Sequence, residues 1–195
     1  MRLPDPVRPA PARAGPSRAM LLANVAVFQL TWFAAIFAAA HCVPAWGVLC
    51  VFCAVAWHVG SARRPAREAL LVGIACLCGF VLESLQVVLG WVGFPSCAGG
   101  DARLAPGWLV AMWGLFAICL NVSLRWLRGR WWLCAALGAV GGPVAFASGV
   151  RLGAAHWVDA AAALTSIAVA WSLALPLLIW LSERLDGVRS TELRR

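Results

Sequence analysis

AMLLANVAVFQLTWFAAIFAAAHCVPAWGVLCVFCAVAWHVGSA, residues 19–62, contains no Asp, Glu, Lys or Arg. A helix needs about 20 apolar residues to cross a bilayer core, so a run of this length holds two crossings and a turn. The turn shows at His41-Cys42-Val43-Pro44-Ala45-Trp46-Gly47, where Pro and Gly interrupt the run beside a Trp suited to the headgroup layer. Further uncharged runs cover 84–100, 104–124, 131–150 and 160–182. The pattern predicts an all-α, polytopic transmembrane bundle of six spans: 20–40, 43–59, 68–91, 106–124, 131–150 and 159–181.

Composition agrees. Hydrophobic residues make up 63% and charged residues 12% of the 195-residue chain, about half the charge of an ordinary soluble domain. The net charge of +8 comes from arginines alone, and they sit beside apolar runs rather than in one patch. Arg2, Arg8, Arg13 and Arg18 precede the first span. Arg63, Arg64 and Arg67 follow the second, Arg125, Arg128 and Arg130 the fourth, and Arg184, Arg189, Arg194 and Arg195 the sixth. The other three loops hold only Arg103 and Arg151. Such asymmetry orients a membrane protein with its arginine-rich side in the cytoplasm, so both termini are expected there and nucleic acid is not an expected partner.

Residues 1–19 read as a disordered Arg/Pro/Ala-rich cytoplasmic tail, 20–182 as the membrane domain and 183–195 as a charged cytoplasmic tail. Four prolines before Arg13 oppose the amphipathic helix of a mitochondrial presequence. The full spanning length of 20–40 opposes a cleaved secretory signal.

Nine of the twelve tryptophans fall at predicted span ends, where the indole ring suits the interface. Trp46, Trp91, Trp108 and Trp157 mark one side, and Trp57, Trp126, Trp131, Trp132 and Trp180 the other. Trp32, Trp113 and Trp171 lie deeper, where each N–H needs a partner.

Glu83 is the acid that falls well inside a span. No basic residue lies in any span to pair with it, so it is either carried neutral or opened to a water-filled cavity. Intramembrane acids are expensive, and each is a functional candidate. Gly79 and Gln86 share its helical face. Counting inward to the same depth on the other spans gives Gln29, Trp32, Cys50, Trp113, Thr165 and Ser166, with Gly142 and Pro143. Pro143 leaves the carbonyl of Ala139 without its helical donor, a partner available to a neutral carboxyl. The candidate intramembrane site is therefore Glu83, Gln29, Trp32, Trp113, Thr165 and Ser166. A second polar group, Asn24, His58, Asn121, Ser123 and Arg125, lies near the predicted cytoplasmic face. It reads as helix-to-helix hydrogen bonding, with Arg125 reaching toward lipid headgroups, or as a headgroup or small-anion site.

Cys50-Val51-Phe52-Cys53 lies within an apolar span and reads as packing rather than redox chemistry. Cys42 and Cys97 share the outer side, where a disulfide can persist. His41, His156, Asp101 and Asp159 come from separate loops without ligand spacing, so no metal site and no cofactor is expected. Gly138 and Gly142 form a small-xxx-small pair for close helix approach.

These residues resemble the bacterial domain of unknown function 2878 family. The pattern runs from Asn24, Phe28-Gln29 and Trp32-Phe33 through Trp57-His58, the acid of the third span and Gly93-Phe94-Pro95-Ser96. Its densest part is Ala105-Pro106-Gly107-Trp108 with Trp113, Asn121, Ser123-Leu124 and Trp126-Leu127, then Gly138 to Pro143, Gly149 and Gly153-Ala154. Glu83 stands where the pattern has Asp, and Phe146 where it has Tyr. The resemblance implies a small polytopic inner-membrane protein and no assigned activity. The reading carried forward is a non-catalytic accessory protein of envelope or membrane-lipid metabolism, with the lipid bilayer as partner. The alternatives are a small transporter or lipid binder holding a lipid or small apolar ligand beside Glu83, and an intramembrane enzyme, for which a paired acid and base are lacking.

Overall fold

The computed structural model describes residues 16–96 and 103–188. It contains six helices: α1 (Arg18–Ala40), α2 (Pro44–Ser61), α3 (Pro65–Val88), α4 (Gly107–Leu120), α5 (Trp131–Arg151) and α6 (Ala160–Arg184). Local chemistry sets their starts. Ser17 Oγ accepts from Met20 N (3.2 Å) and Asp159 Oδ1 from Ala162 N (3.0 Å), each satisfying an orphan amide. Pro44 and Pro65 open α2 and α3, where a missing N–H is harmless. Cys42, at φ 65°, turns the chain between α1 and α2 and is disulfide-bonded. Cys97, proposed as its partner on position alone, lies outside the described residues, as do the tails 1–15 and 189–195.

Among the described residues, five helices are long and apolar enough to cross a membrane; α4 is shorter. Its 14 residues rise about 21 Å at 1.5 Å per residue, against a hydrocarbon core of about 30 Å. Within the expected span 106–124 the helix is therefore shorter, covering Gly107–Leu120 before the chain turns. The chain leaves it at the C-cap Asn121 and turns into a 3-10 segment, Arg125–Leu127. A helix that is apolar on every side belongs inside a bundle, and α4 packs on α1, α2 and α3 with Leu115, Ala117, Ile118 and Leu120 fully covered. The outer helices do the reverse. Leu22, Phe52, Leu77, Val140 and Leu173 project outward and exposed, a surface suited to lipid and far too apolar for water.

α5 and α6 form a tight hairpin, because Gly138 lets its backbone meet the carbonyl of Trp171. The hairpin is clasped to the α1–α4 body at both ends. At one end Val92–Gly93 (β1) pairs antiparallel with His156–Trp157 (β2), and the carbonyl of Trp91 accepts from Val158 N and Asp159 N. This small ladder has no forerunner in the apolar pattern. At the other end the chain after α6 docks against the start of α3, where Arg64 N donates to the carbonyl of Gly187 at 3.0 Å.

Candidate functional site

The seam between the α1–α4 body and the α5–α6 hairpin is not filled. A cavity of about 120 Å³ lies there, somewhat smaller than the roughly 150 Å³ apolar cavity that holds a benzene ring. α1 supplies Phe28 and Trp32, α3 supplies Glu83, α4 supplies Trp108, Met112 and Trp113, and α5 and α6 supply Phe146 and Trp171. Trp113 and Trp171 stack across the seam at 4.5 Å with planes 25° apart, and Phe116 meets Trp171 edge-on at 5.0 Å. Two glycines make room for the stack. A methyl group on Gly79 would collide with the ring of Trp113, and one on Gly142 with Trp171. The small-xxx-small pair therefore has two duties: Gly138 admits backbone and Gly142 admits an indole.

Glu83 is 95% covered, its relative exposure being 5%. Its Oε1 accepts from Trp113 Nε1 at 3.2 Å, while Oε2 is buried with no partner. The freed carbonyl of Ala139 does not fill that role. Trp108 Nε1 is the second polar atom on the cavity wall buried without a partner. The expectation that Trp108 belongs to the interfacial belt is corrected, since its exposure is only 4% and its ring lies edge-on to Phe94. Trp132, 91% exposed, shows what a belt residue looks like.

Of the predicted intramembrane set, the fold brings Glu83, Trp32 and Trp113 onto one cavity and leaves the rest off it. Gln29 and Thr165 are exposed. The inward stripe of α1 runs through Asn24, Phe28, Trp32 and Ile36, and Gln29 is turned about 100° from Phe28. On α6 the covered residues Ala163 and Ile167 point away from Thr165. Ser166 does face inward, but it is tied to Gln86, accepting from Nε2 at 2.7 Å and donating to Oε1 at 2.9 Å.

The second set condenses around a residue that sequence reading placed only as a span end. Glu68, 1% exposed, begins α3. Its Oε2 bonds His58 Nε2 at 2.9 Å, and its Oε1 accepts from Asn121 Nδ2 and Gly187 N, both at 2.7 Å. Arg128 extends the network: Nη2 donates to Asn121 Oδ1 and Nη1 to Asp186 Oδ2. Arg125 pairs with Asp186 at 2.8 Å, correcting the expectation that it reaches for headgroups. Asn24 stands apart, donating to the carbonyl of Ile118 at 3.0 Å, and Ser123 lies half-buried in the turn after α4. Every element of this network is a clasp between helices, and both carboxylate oxygens of Glu68 are satisfied.

An apolar exterior, five helices of spanning length and polar groups turned inward define a polytopic helical membrane protein. Residues 21–177 match the family described as protein of unknown function (DUF2878), and the chain belongs to that family. Comparisons with curated proteins and with solved structures return no match.

Proposed function

We propose that this protein binds a small amphipathic molecule inside the membrane, in the cavity beside Glu83, and that it binds without transforming it. The observation that carries the reading is the unpartnered, buried Oε2 of Glu83, a residue that lines a cavity of otherwise aromatic and aliphatic residues. A buried polar atom left unmade costs about 1–3 kcal/mol, a deficit that a ligand removes on binding. No second titratable side chain among the described residues lines the cavity, so an acid–base pair for turnover is not at hand. Ala145 is exposed, Trp32 and Phe146 are half-covered, and α1 and α5 share few contacts. The cavity therefore has an edge toward the lipid side, a route for a molecule dissolved in the bilayer.

The setting we assign is the bacterial inner membrane, with both termini cytoplasmic and an accessory role in envelope or membrane-lipid metabolism. Support comes from the arginine distribution and from a site that opens to lipid. Active cytoplasmic reporters fused at Arg195 and in the 63–67 loop support the orientation; an active periplasmic reporter at Arg195 overturns it.

The binding reading is tested by thermal unfolding of the purified protein in detergent against a panel of ring-sized amphiphiles. A ligand at 100 times its Kd stabilises by about 2.7 kcal/mol. Stabilisation of the native chain, lost when Met112→Trp fills the cavity, supports the reading. No stabilisation, or equal stabilisation of the filled variant, overturns it.

A further inference from the structure

Resting on that binding reading, we infer that the cavity takes a primary or secondary amine carried on a ring-sized apolar body, with Glu83 as its counter-ion. The sign of the site comes first. Glu83 is the one ionisable side chain among the described residues lining the cavity, and no Arg or His faces it there. An anionic ligand would find no cation on these walls to pair with, and its charge would stay uncompensated in a poorly screened setting. A neutral ligand that needs a donor finds one in the unpartnered N–H of Trp108 and has no use for an acid. A ligand nitrogen bearing protons is the group that uses Oε2, the oxygen Trp113 leaves free.

The walls agree with the sign. Eight of the lining side chains are Phe or Trp, and aromatic rings attract cations through the negative potential of their faces, most strongly once water is excluded. A purely apolar guest would be served equally well by Leu and Ile. The size agrees as well, since about 120 Å³ is on the scale of a single ring and far below a lipid chain of full length.

The chemistry of entry follows from the location. A free amine is uncharged while it partitions into lipid. Beside Glu83 the carboxyl O–H breaks, its proton forms the fourth bond to nitrogen through the amine's lone pair, and an ammonium–carboxylate pair results. The site gains no net charge, which an apolar seam would resist. Oε1 keeps its bond from Trp113 throughout, so the indole holds the carboxyl in place and Oε2 receives the ligand.

The test uses the full-length protein in a nonionic detergent, titrated calorimetrically with three probes of one shape: benzylamine, benzyl alcohol and benzoate. Benzylamine is expected to bind at least about 10-fold more tightly than benzyl alcohol, the size of one charge-assisted hydrogen bond, with benzoate weakest. Glu83→Gln removes the preference; Glu83→Asp, which keeps the acid, retains it. Equal binding of benzylamine and benzyl alcohol to the native chain overturns the amine assignment and leaves the binding cavity standing. So does a preference that survives Glu83→Gln. Should Glu83→Gln fail to fold, the ratio in the native chain and in Glu83→Asp still decides. Binding of no probe to the native chain overturns both readings together.

Discussion

Glu68 and Glu83 occupy one helix, fifteen residues and roughly 22 Å apart at helical rise, and both are buried. Their surroundings differ in every other respect. Glu68 receives three partners from three separate elements, on α2, after α4 and after α6. Glu83 receives one indole N–H, and its other oxygen is buried without a partner. A saturated acid between helices is a clasp, since moving any partner breaks bonds. An acid held on one side and free on the other is a receptor. Burial alone does not separate the two roles; the count of partners does.

The largest consequence of that contrast lies at the clasp. Glu68→Ala strips His58, Asn121 and the amide of Gly187 of their acceptor at once, and removing one side of a buried polar cluster costs about 3–5 kcal/mol. The variant is expected to unfold at much lower temperature in detergent, or to fail to accumulate in the membrane. Native-like stability of Glu68→Ala would break the comparison. Gly138→Ala comes next, because its methyl would strike the backbone of α6 at Trp171. Forcing the hairpin apart is expected to cost about 1–3 kcal/mol, read as a lower unfolding midpoint. Arg128→Lys keeps a charge but loses the fork that spans Asp186 and Asn121. About 1–2 kcal/mol is expected from that loss, checked by a double-mutant cycle with Asp186→Asn.

The smallest stability effect belongs to Glu83. A glutamine there still offers Trp113 an oxygen, so Glu83→Gln is expected to change unfolding by less than about 1 kcal/mol, or to stabilise, while altering which ligands bind. Variants that weaken the fold and variants that change binding should therefore separate along α3.

The sequence made one of these glutamates visible and hid the other. Glu83 stood out because it interrupts an uncharged run, and depth counting found its neighbours Trp32 and Trp113. Depth carries no information about azimuth, which is why Gln29 and Thr165 were grouped with them and yet face outward. Glu68 sits at a span boundary beside Arg63, Arg64 and Arg67, where an acid looks like a solvated first-turn residue that favours the helix N-terminus. Its partners Asn121 and Gly187 are 53 and 119 residues away, and no local pattern announces such a meeting. The length of α4 was equally hidden, since the uncharged run 104–124 reports how far apolarity extends and not where hydrogen bonding turns aside. Trp108 misled for a related reason: its position at a span end is that of a belt residue, and only the packing of Phe94 and α1 over it makes it part of a cavity.

The most direct test of the contrast is an infrared difference measurement on the native protein against Glu83→Gln, with and without benzylamine. A protonated-carboxyl stretch is expected in the empty native protein, missing from Glu83→Gln and converting to a carboxylate band when benzylamine saturates the site. A Glu83 band that benzylamine leaves unchanged at saturation would contradict the contrast.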